Sequence, residues 1–193
     1  MELAGLDFSK EYTYADYLEW TFEERLELIK GKPFEMGSTP GRIHQKLSMK
    51  IVGELSRYLR GKSYQAYAAP FDVRLPQKSK SDQDIMTVVQ PDICVICDCS
   101  KLDDNGCLGA PDIIVEILSP GNNKKELKDK YEVYEVAGVQ EYWLVFPVEE
   151  AFLQYIREDG RFITFRPLTE ADVVTTPILP GFELNLNELF RVS

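Results

Sequence analysis

The chain has 193 residues, 44% of them hydrophobic, and a formal net charge of −10. This length and composition fit one folded domain. No apolar run reaches the roughly 20 residues that span a bilayer, and the amino terminus lacks the basic and apolar segments of a signal peptide, so we expect a cytoplasmic protein. The acidic balance opposes non-specific binding to nucleic acid, so such a partner would need a local basic patch or bridging metal ions.

The first forty residues predict a short helix and a hairpin. Thr13 can cap a helix over residues 14–20, because Asp16 follows three residues later. Residues 25–36 have the pattern of a hairpin that turns at Lys30-Gly31. We interpret residues 1–40 as an N-terminal addition within a single domain that covers residues 1–193.

The middle of the chain predicts one long helix and two strands. Residues 43–59 have apolar side chains at every fourth position, as in an amphipathic helix. Residues 71–75 alternate between apolar and polar side chains, which predicts a strand with Asp72 and Arg74 on a polar face. Residues 88–97 predict a second strand, entered through Pro91.

The second half predicts a buried strand, a helix and further strands. Residues 110–118 are apolar on both faces apart from Glu116, which is typical of a central strand in a covered sheet. A helix over residues 124–136 precedes a strand over residues 141–146, and a hairpin follows around Asp159-Gly160. The tail, residues 179–190, is expected to pack back on the body. This order predicts an α/β fold, a mixed β-sheet flanked by helices.

Glu116 is the most informative residue for function. A carboxylate inside an apolar strand costs several kcal/mol unless it is paired or binds a metal. Asp112 shares its face but lies roughly 13 Å away along the strand, too far to share one ion. Asp92 begins the preceding strand, and neighbouring strands lie about 4.8 Å apart, so Asp92 and Glu116 can converge on one metal. A buried ion pair for Glu116 and turn chemistry for Asp92 are the alternatives.

The four cysteines suggest a zinc site only superficially. In an apparent strand, Cys94 and Cys97 face opposite sides because they are an odd number of residues apart. The single histidine, His44, is distant in sequence. We therefore expect reduced structural cysteines, with zinc as the alternative.

Several segments, in consistent order, resemble one family. They are LELIKG at 26–31, APFDVRL at 69–75, QPDI at 90–93, APDIIVEILSP at 110–120, KYEVY at 130–134 and GVQEYW at 138–143. Together they resemble the Uma2 family, a branch of the PD-(D/E)XK nuclease superfamily with a restriction-endonuclease-like fold.

The resemblance implies a metal-dependent endonuclease, specifically an endodeoxyribonuclease that uses Mg²⁺ or Mn²⁺. Asp92 and Glu116 would bind the metal. Leu118 stands where the superfamily places a lysine, two residues after the second acid, and the resemblance assigns that role to a lysine of the next helix. Lys130 is the first choice and Lys128 the second, and the alternative for Lys130 is an ordinary solvated lysine on the helix.

Other assignments remain open at this stage. Glu27 matches an early glutamate of the family and either completes the catalytic site or is a polar hairpin residue. His44 either orients a ligand or phosphate or caps its helix at the surface. The aromatic residues around 131–143 are expected in the core rather than on a base-stacking surface.

The resemblance implies a nucleic-acid substrate, DNA before RNA, and a homodimer. The alternatives are an inactive nuclease fold that binds nucleic acid or a protein, and a metal-free two-carboxylate hydrolase.

Overall fold

The computed structural model describes residues 5–21, 24–36, 41–119 and 124–191. It contains four α-helices in these ranges: α1 (Tyr14–Leu18), α2 (Arg42–Leu59), α3 (Lys124–Ala137) and α4 (Leu186–Phe190). The strands are β1 (Leu26–Ile29), β2 (Lys32–Glu35), β3 (Gln65–Ala68), β4 (Val73–Arg74), β5 (Val88–Val89), β6 (Ile93–Ile96), β7 (Leu102–Asp103), β8 (Gly106–Leu108), β9 (Ile113–Ile117), β10 (Glu141–Phe146), β11 (Ala151–Glu158), β12 (Arg161–Thr164), β13 (Val173–Val174) and β14 (Leu184–Asn185).

Two six-stranded sheets form the body. The central sheet has the order β12-β11-β10-β9-β6-β3, and the second sheet has the order β2-β1-β5-β4-β8-β7. Each sheet is mixed, because β9 and β10 pair in parallel in one and β4 and β8 in the other, while their other pairs are antiparallel. The expected α/β class with a mixed sheet and flanking helices is confirmed.

The central sheet is covered on both faces. Side chains of one parity along β6, β9 and β10 pack against α2 and the carboxyl-terminal tail. Side chains of the opposite parity pack against α3 and the second sheet. Both faces of β9 are therefore buried, which explains why its sequence is apolar throughout except at Glu116. The tail packs on the body as predicted, and Leu179, Leu186 and Leu189 are buried.

The strand predicted over residues 88–97 is wrong, because the structure divides it between the two sheets. β5 pairs with β1 and β4 in the second sheet, whereas β6 pairs with β3 and β9 in the central sheet. Pro91 lies between them, and proline lacks the N–H that a ladder needs. The chain thus crosses from one sheet to the other immediately before Asp92.

The polar face predicted for residues 71–75 is also wrong. Only Val73 and Arg74 form a strand, and both are buried. Arg74 pairs with Asp103 and lies 5.3 Å from the centre of the Tyr14 ring. A buried arginine is stable here because a carboxylate and an aromatic face contact it.

The amino-terminal hairpin turns at Lys30-Gly31 as predicted, and both residues have positive φ. Its first strand is an inner strand of the second sheet. The preceding helix ends at Leu18, slightly earlier than expected, and begins with the predicted capping box of Thr13 and Asp16. None of the helices in the described parts of the chain combines the length and apolar character that a membrane span requires.

Candidate active site

Asp92 and Glu116 lie at the same end of two neighbouring strands, just before β6 and within β9. Ile93 of β6 pairs with Val115 of β9 in an antiparallel ladder. Asp92 immediately precedes Ile93, Glu116 immediately follows Val115, and the Ile117 N–H donates to Asp92 Oδ2 at 2.7 Å. The Asp92 carboxylate therefore lies beside the strand that carries Glu116, and the binding of one metal by the two carboxylates stays a prediction.

Glu116 accepts two hydrogen bonds from α3. Lys130 Nζ lies 3.0 Å from Glu116 Oε1, and the Tyr134 hydroxyl donates to the same oxygen at 2.8 Å. Lys130 and Tyr134 are one helical turn apart, so both side chains point from the same face of α3 towards β9. The glutamate is thus anchored by a buried ammonium group and a buried hydroxyl, and its side chain retains 11% exposure.

Lys130 also connects Glu116 to the amino-terminal hairpin. Its ammonium group lies 3.0 Å from Glu27 Oε2, and the Glu27 side chain is 1% exposed. The other oxygen of Glu27 accepts a hydrogen bond from the backbone N–H of Gln90 at 2.8 Å. Glu27 and Lys130 therefore belong to the same buried cluster as Glu116, although the three residues come from β1, α3 and β9.

Asp92 is held by two donors of different kinds. The backbone N–H of Ile117 donates to its Oδ2 at 2.7 Å, and His44 Nε2 lies 3.1 Å from the same oxygen. His44 lies in the first turn of α2 and is buried. It does not occupy the surface position that was one alternative, and it links the start of α2 to the carboxylate.

The electrostatics of this cluster are dominated by burial and by excess negative charge. Burial raises the pKa of Glu116 above its ordinary value, the charges of Asp92 and Glu27 act in the same direction, and Lys130 opposes them. Burial alone would lower the pKa of His44, but its hydrogen bond to Asp92 and the charges of Asp92 and Glu116 outweigh it, so the pKa is raised. Among the described residues, three carboxylates and the Lys130 ammonium group thus share a poorly solvated site.

A hard divalent cation fits this donor set chemically. Mg²⁺ and Mn²⁺ prefer oxygen ligands, and Mg²⁺ is usually bound by one or two carboxylates with water and substrate phosphates supplying the rest. Within the described residues, no group of three or more His, Cys, Asp or Glu side chains is arranged to hold a metal. A two-carboxylate site completed by water and substrate is compatible with this finding, and a closed all-protein site is not.

The remaining predicted positions have structural roles. The four cysteines are free thiols, and Cys94 and Cys107 are buried; the zinc alternative finds no support among the described residues. Asp112 lies at the opposite end of β9, where it accepts a hydrogen bond from the Cys97 N–H at 2.7 Å. Tyr142 and Trp143 are buried in the core, as expected.

Sequence reasoning missed two residues that organise the site. Tyr134 was assigned to the core alone, although its position one turn after Lys130 could have indicated a second contact to Glu116. Gln90 received no role. Its side-chain amide donates to Asp72 Oδ1 at 2.7 Å and Arg25 donates to its carbonyl oxygen at 2.6 Å, so the segment that delivers Asp92 is fixed on both sides.

Comparisons with known proteins agree with this architecture. The model of the Uma2 family, described as "Putative restriction endonuclease", matches residues 14–187. A solved structure, described as "a putative nuclease belonging to DUF820" from Anabaena variabilis, is similar at a TM-score of 0.71 with 22% identity, over 93% of this chain and 97% of that one. This likeness shows a shared fold. No curated protein matches the chain.

Proposed function

Because this chain belongs to the Uma2 family, we propose that it is a metal-dependent endonuclease that hydrolyses phosphodiester bonds of nucleic acid, with DNA as the preferred substrate. The observation that supports the proposal is the cluster in which Lys130 contacts both Glu116 and Glu27, beside the Asp92 carboxylate that accepts a hydrogen bond from the Ile117 N–H. A buried group of interacting carboxylates with a lysine is characteristic of catalytic sites rather than of cores.

Asp92 and Glu116 would hold the metal ion through carboxylate oxygens. Mg²⁺ or Mn²⁺, when bound, polarises the scissile phosphate and lowers the pKa of an attacking water. The Ile117 N–H and His44 hold Asp92 in place, and Tyr134 holds Glu116. Rigid contacts of this kind to a metal-binding carboxylate preserve the geometry that binding requires.

Lys130 would carry out the role that the superfamily gives to a lysine two residues after the second acid. In this chain that position is Leu118, and its backbone N–H donates to Val145 as part of the sheet. Lys130 reaches the same carboxylate from α3 at 3.0 Å. From there its ammonium group can stabilise negative charge that develops on phosphoryl oxygens or orient the attacking water. Glu27 contacts the same ammonium group at 3.0 Å and so positions it.

The proposal is tested by cleavage of plasmid DNA with Mg²⁺ or Mn²⁺ at low salt. The wild-type protein is expected to cleave, and Asp92→Asn, Glu116→Gln and Lys130→Gln are each expected to lose about 100-fold or more of the rate. Lys128→Gln is the matched control, because Lys128 lies on the same helix but its side chain is 75% exposed. Equal loss in Lys128→Gln, or wild-type cleavage that persists in a chelator, would contradict the assignment.

A second candidate function is an inactive nuclease fold that binds nucleic acid or a protein partner. Leu118 favours it, because the lysine of the superfamily motif is missing, and so does the ion pair that already engages Glu116. Binding of labelled DNA without cleavage under any divalent ion would support this candidate. Cleavage by a homodimer, measured together with sedimentation of the active species, would support the endonuclease instead.

A further inference from the structure

The amino-terminal end of helix α2 lacks the contacts that usually cap a helix. The first N–H groups of a helix have no acceptor within the helix, and a side chain at the residue before it commonly accepts from them. In α2 this residue is Gly41, which has no side chain, and the first turn contains no acidic residue. Among the described residues, no acceptor contacts the N–H groups of Arg42, Ile43 or His44. The start of this 18-residue helix therefore has unpaired donors.

Neither the backbone nor the packing requires a glycine at residue 41. Gly41 has a φ of −69° and a ψ of 168°, an extended conformation that any residue adopts. A Cβ built on it would meet no atom within 4 Å. Gly41, Arg42 and Ile43 are all exposed. A capping side chain would therefore fit at this position, and the glycine leaves the N–H groups of the first turn open to solvent.

The ring of His44 is an independent indication of a ligand at this end of the helix. Its side chain is 10% exposed, Nε2 contacts Asp92, and Nδ1 has no hydrogen-bond partner within the described parts of the chain. The Ile117 backbone acts on the pKa of this ring, as the smallest of its causes, but makes no hydrogen bond to Nδ1. Helical side chains lean towards the amino terminus, so the ring of this third helical residue lies beside the first turn. A buried polar atom without a hydrogen bond is rare, and a ligand at the start of α2 would provide its partner.

This end of α2 favours an anion and adjoins the proposed metal site. The helix dipole and the unpaired N–H groups give a helix start a partial positive charge, which attracts phosphate and similar groups. The imidazole of His44 connects the first turn to Asp92, whose Oδ2 lies 3.1 Å from Nε2. Asp92 repels an anion, but the His44 ring and the Ile117 N–H both engage its Oδ2 and offset part of this repulsion. An anion at the start of α2 would therefore lie one side chain away from the carboxylate that is proposed to bind the metal.

We propose that the amino terminus of α2 binds a phosphate group of the substrate strand beside the cleaved bond, an inference that rests on the proposed nuclease function. The N–H groups of Arg42 and Ile43 would donate to phosphate oxygens, and His44 Nδ1 would bond to the same phosphate. Contacts of this kind position a nucleic-acid strand without reading its sequence. The site uses backbone groups of α2, so its occupation does not require the metal.

The test is an NMR titration of isotope-labelled protein in a chelator, with inorganic phosphate and with a short single strand of thymidine nucleotides as the two probes. The backbone amide signals of Arg42 and Ile43 are expected to shift with both probes. Gly41→Asp places a carboxylate where it accepts from these N–H groups and adds a negative charge, so both probes are expected to bind at least about fivefold more weakly.

Gly53→Asp is the matched control. It makes the same substitution in the middle of the same helix, where a Cβ also meets no atom within 4 Å. Because the effect of a helix end is confined to its first turn, this variant is expected to bind both probes within about twofold of wild type.

The stability of Gly41→Asp distinguishes a blocked site from an unfolded protein. A side-chain cap stabilises a helix, so this variant is expected to have the same melting temperature as wild type or a higher one. The inference is overturned if the amide signals respond to neither probe or to inorganic phosphate alone. It is also overturned by equal affinity in wild type and Gly41→Asp, by equal losses in the two variants, or by a melting temperature of Gly41→Asp well below that of wild type.

The absence of divalent ions separates this result from catalysis. Binding that Gly41→Asp weakens, in a protein that cleaves no DNA with Mg²⁺ or Mn²⁺, would sustain the phosphate site and refute the proposed nuclease activity. Cleavage by wild type together with unchanged binding in Gly41→Asp would refute the phosphate site alone.

Discussion

At the residue scale, Glu116 shows what sequence alone can and cannot supply. It stands out because every other residue of β9 is apolar, and the cost of burying it predicts a partner. The local pattern around Glu116 does not reveal its partners, because Lys130 and Tyr134 are 14 and 18 residues away, and only the family resemblance indicated Lys130. Their approach depends on how α3 packs on the sheet, which local patterns do not encode. Glu116 forms the ion pair with Lys130, and it is also the residue proposed to bind the metal.

Replacing Tyr134 by Phe tests whether its hydroxyl holds Glu116 in place. The change removes a donor at 2.8 Å from Glu116 Oε1 and leaves the ring packing intact. We expect the free energy of unfolding in urea to fall by about 1–3 kcal/mol, the range for hydrogen bonds to charged or buried acceptors. Tyr142→Phe is the matched control, because its buried hydroxyl has no hydrogen-bond partner among the described residues. Similar losses in the two variants would refute the assignment.

The raised pKa of Glu116 predicts a specific dependence of stability on pH. The folded protein binds this proton more tightly than the unfolded chain, whose pKa stays near the ordinary value of 4.5. Stability from this group is complete below that value and decreases as pH rises towards the folded-state pKa, by at most about 1.4 kcal/mol per pH unit. We therefore expect the unfolding free energy of wild type, measured in a chelator, to fall relative to that of Glu116→Gln as the pH rises from about 5 to about 8. Parallel pH profiles would contradict this.

At the element scale, the periodic segments were predicted well and the irregular ones were not. The structure contains the predicted hairpin β1–β2, helices α2 and α3 and strand β10, because each has a strong local pattern. The short strands β3, β7, β8, β13 and β14 were missed. Their polar or brief sequences become strands only through pairing with distant segments, and that pairing is set by tertiary packing.

The division of residues 88–97 between two sheets matters most for the site. Both halves have the composition of a strand, and only Pro91 marks the boundary. The crossing positions Gln90 against Glu27 and Asp92 against β9. One continuous strand could not have contacted both sheets in this way. The predicted single strand therefore gave no indication that the Gln90 N–H would bond to Glu27.

Gly106 fixes the hairpin of β7 and β8 against the strand β4, and its replacement tests that packing. It has a φ of +117°, and a Cβ at this position would lie 2.2 Å from the backbone oxygen of Asp72. Gly106→Ala is therefore expected to lower the free energy of unfolding by more than about 2 kcal/mol. Gly138→Ala is the control, since Gly138 also has positive φ but a Cβ there meets nothing within 4 Å. A smaller loss at Gly106 than at Gly138 would be inconsistent with the structure.

At the scale of the whole molecule, the site forms where separate parts of the chain meet. The second sheet contributes Glu27, the central sheet contributes Asp92 and Glu116, α3 contributes Lys130, and α2 contributes His44. The sequence indicated the first four through the family resemblance, and the structure brings them together through contacts that belong to different layers.

The central claim is that Asp92 and Glu116 together bind one divalent cation, and Mn²⁺ titration by calorimetry tests it most directly. Asp104→Asn, an exposed acidic residue outside the site, serves as the control for a lost charge. We predict one Mn²⁺ site in wild type and in Asp104→Asn, and at least a tenfold weaker affinity in Asp92→Asn and in Glu116→Gln, as expected when a metal ligand is removed. Equal Mn²⁺ affinity in all four proteins, or no binding in wild type, would contradict the account.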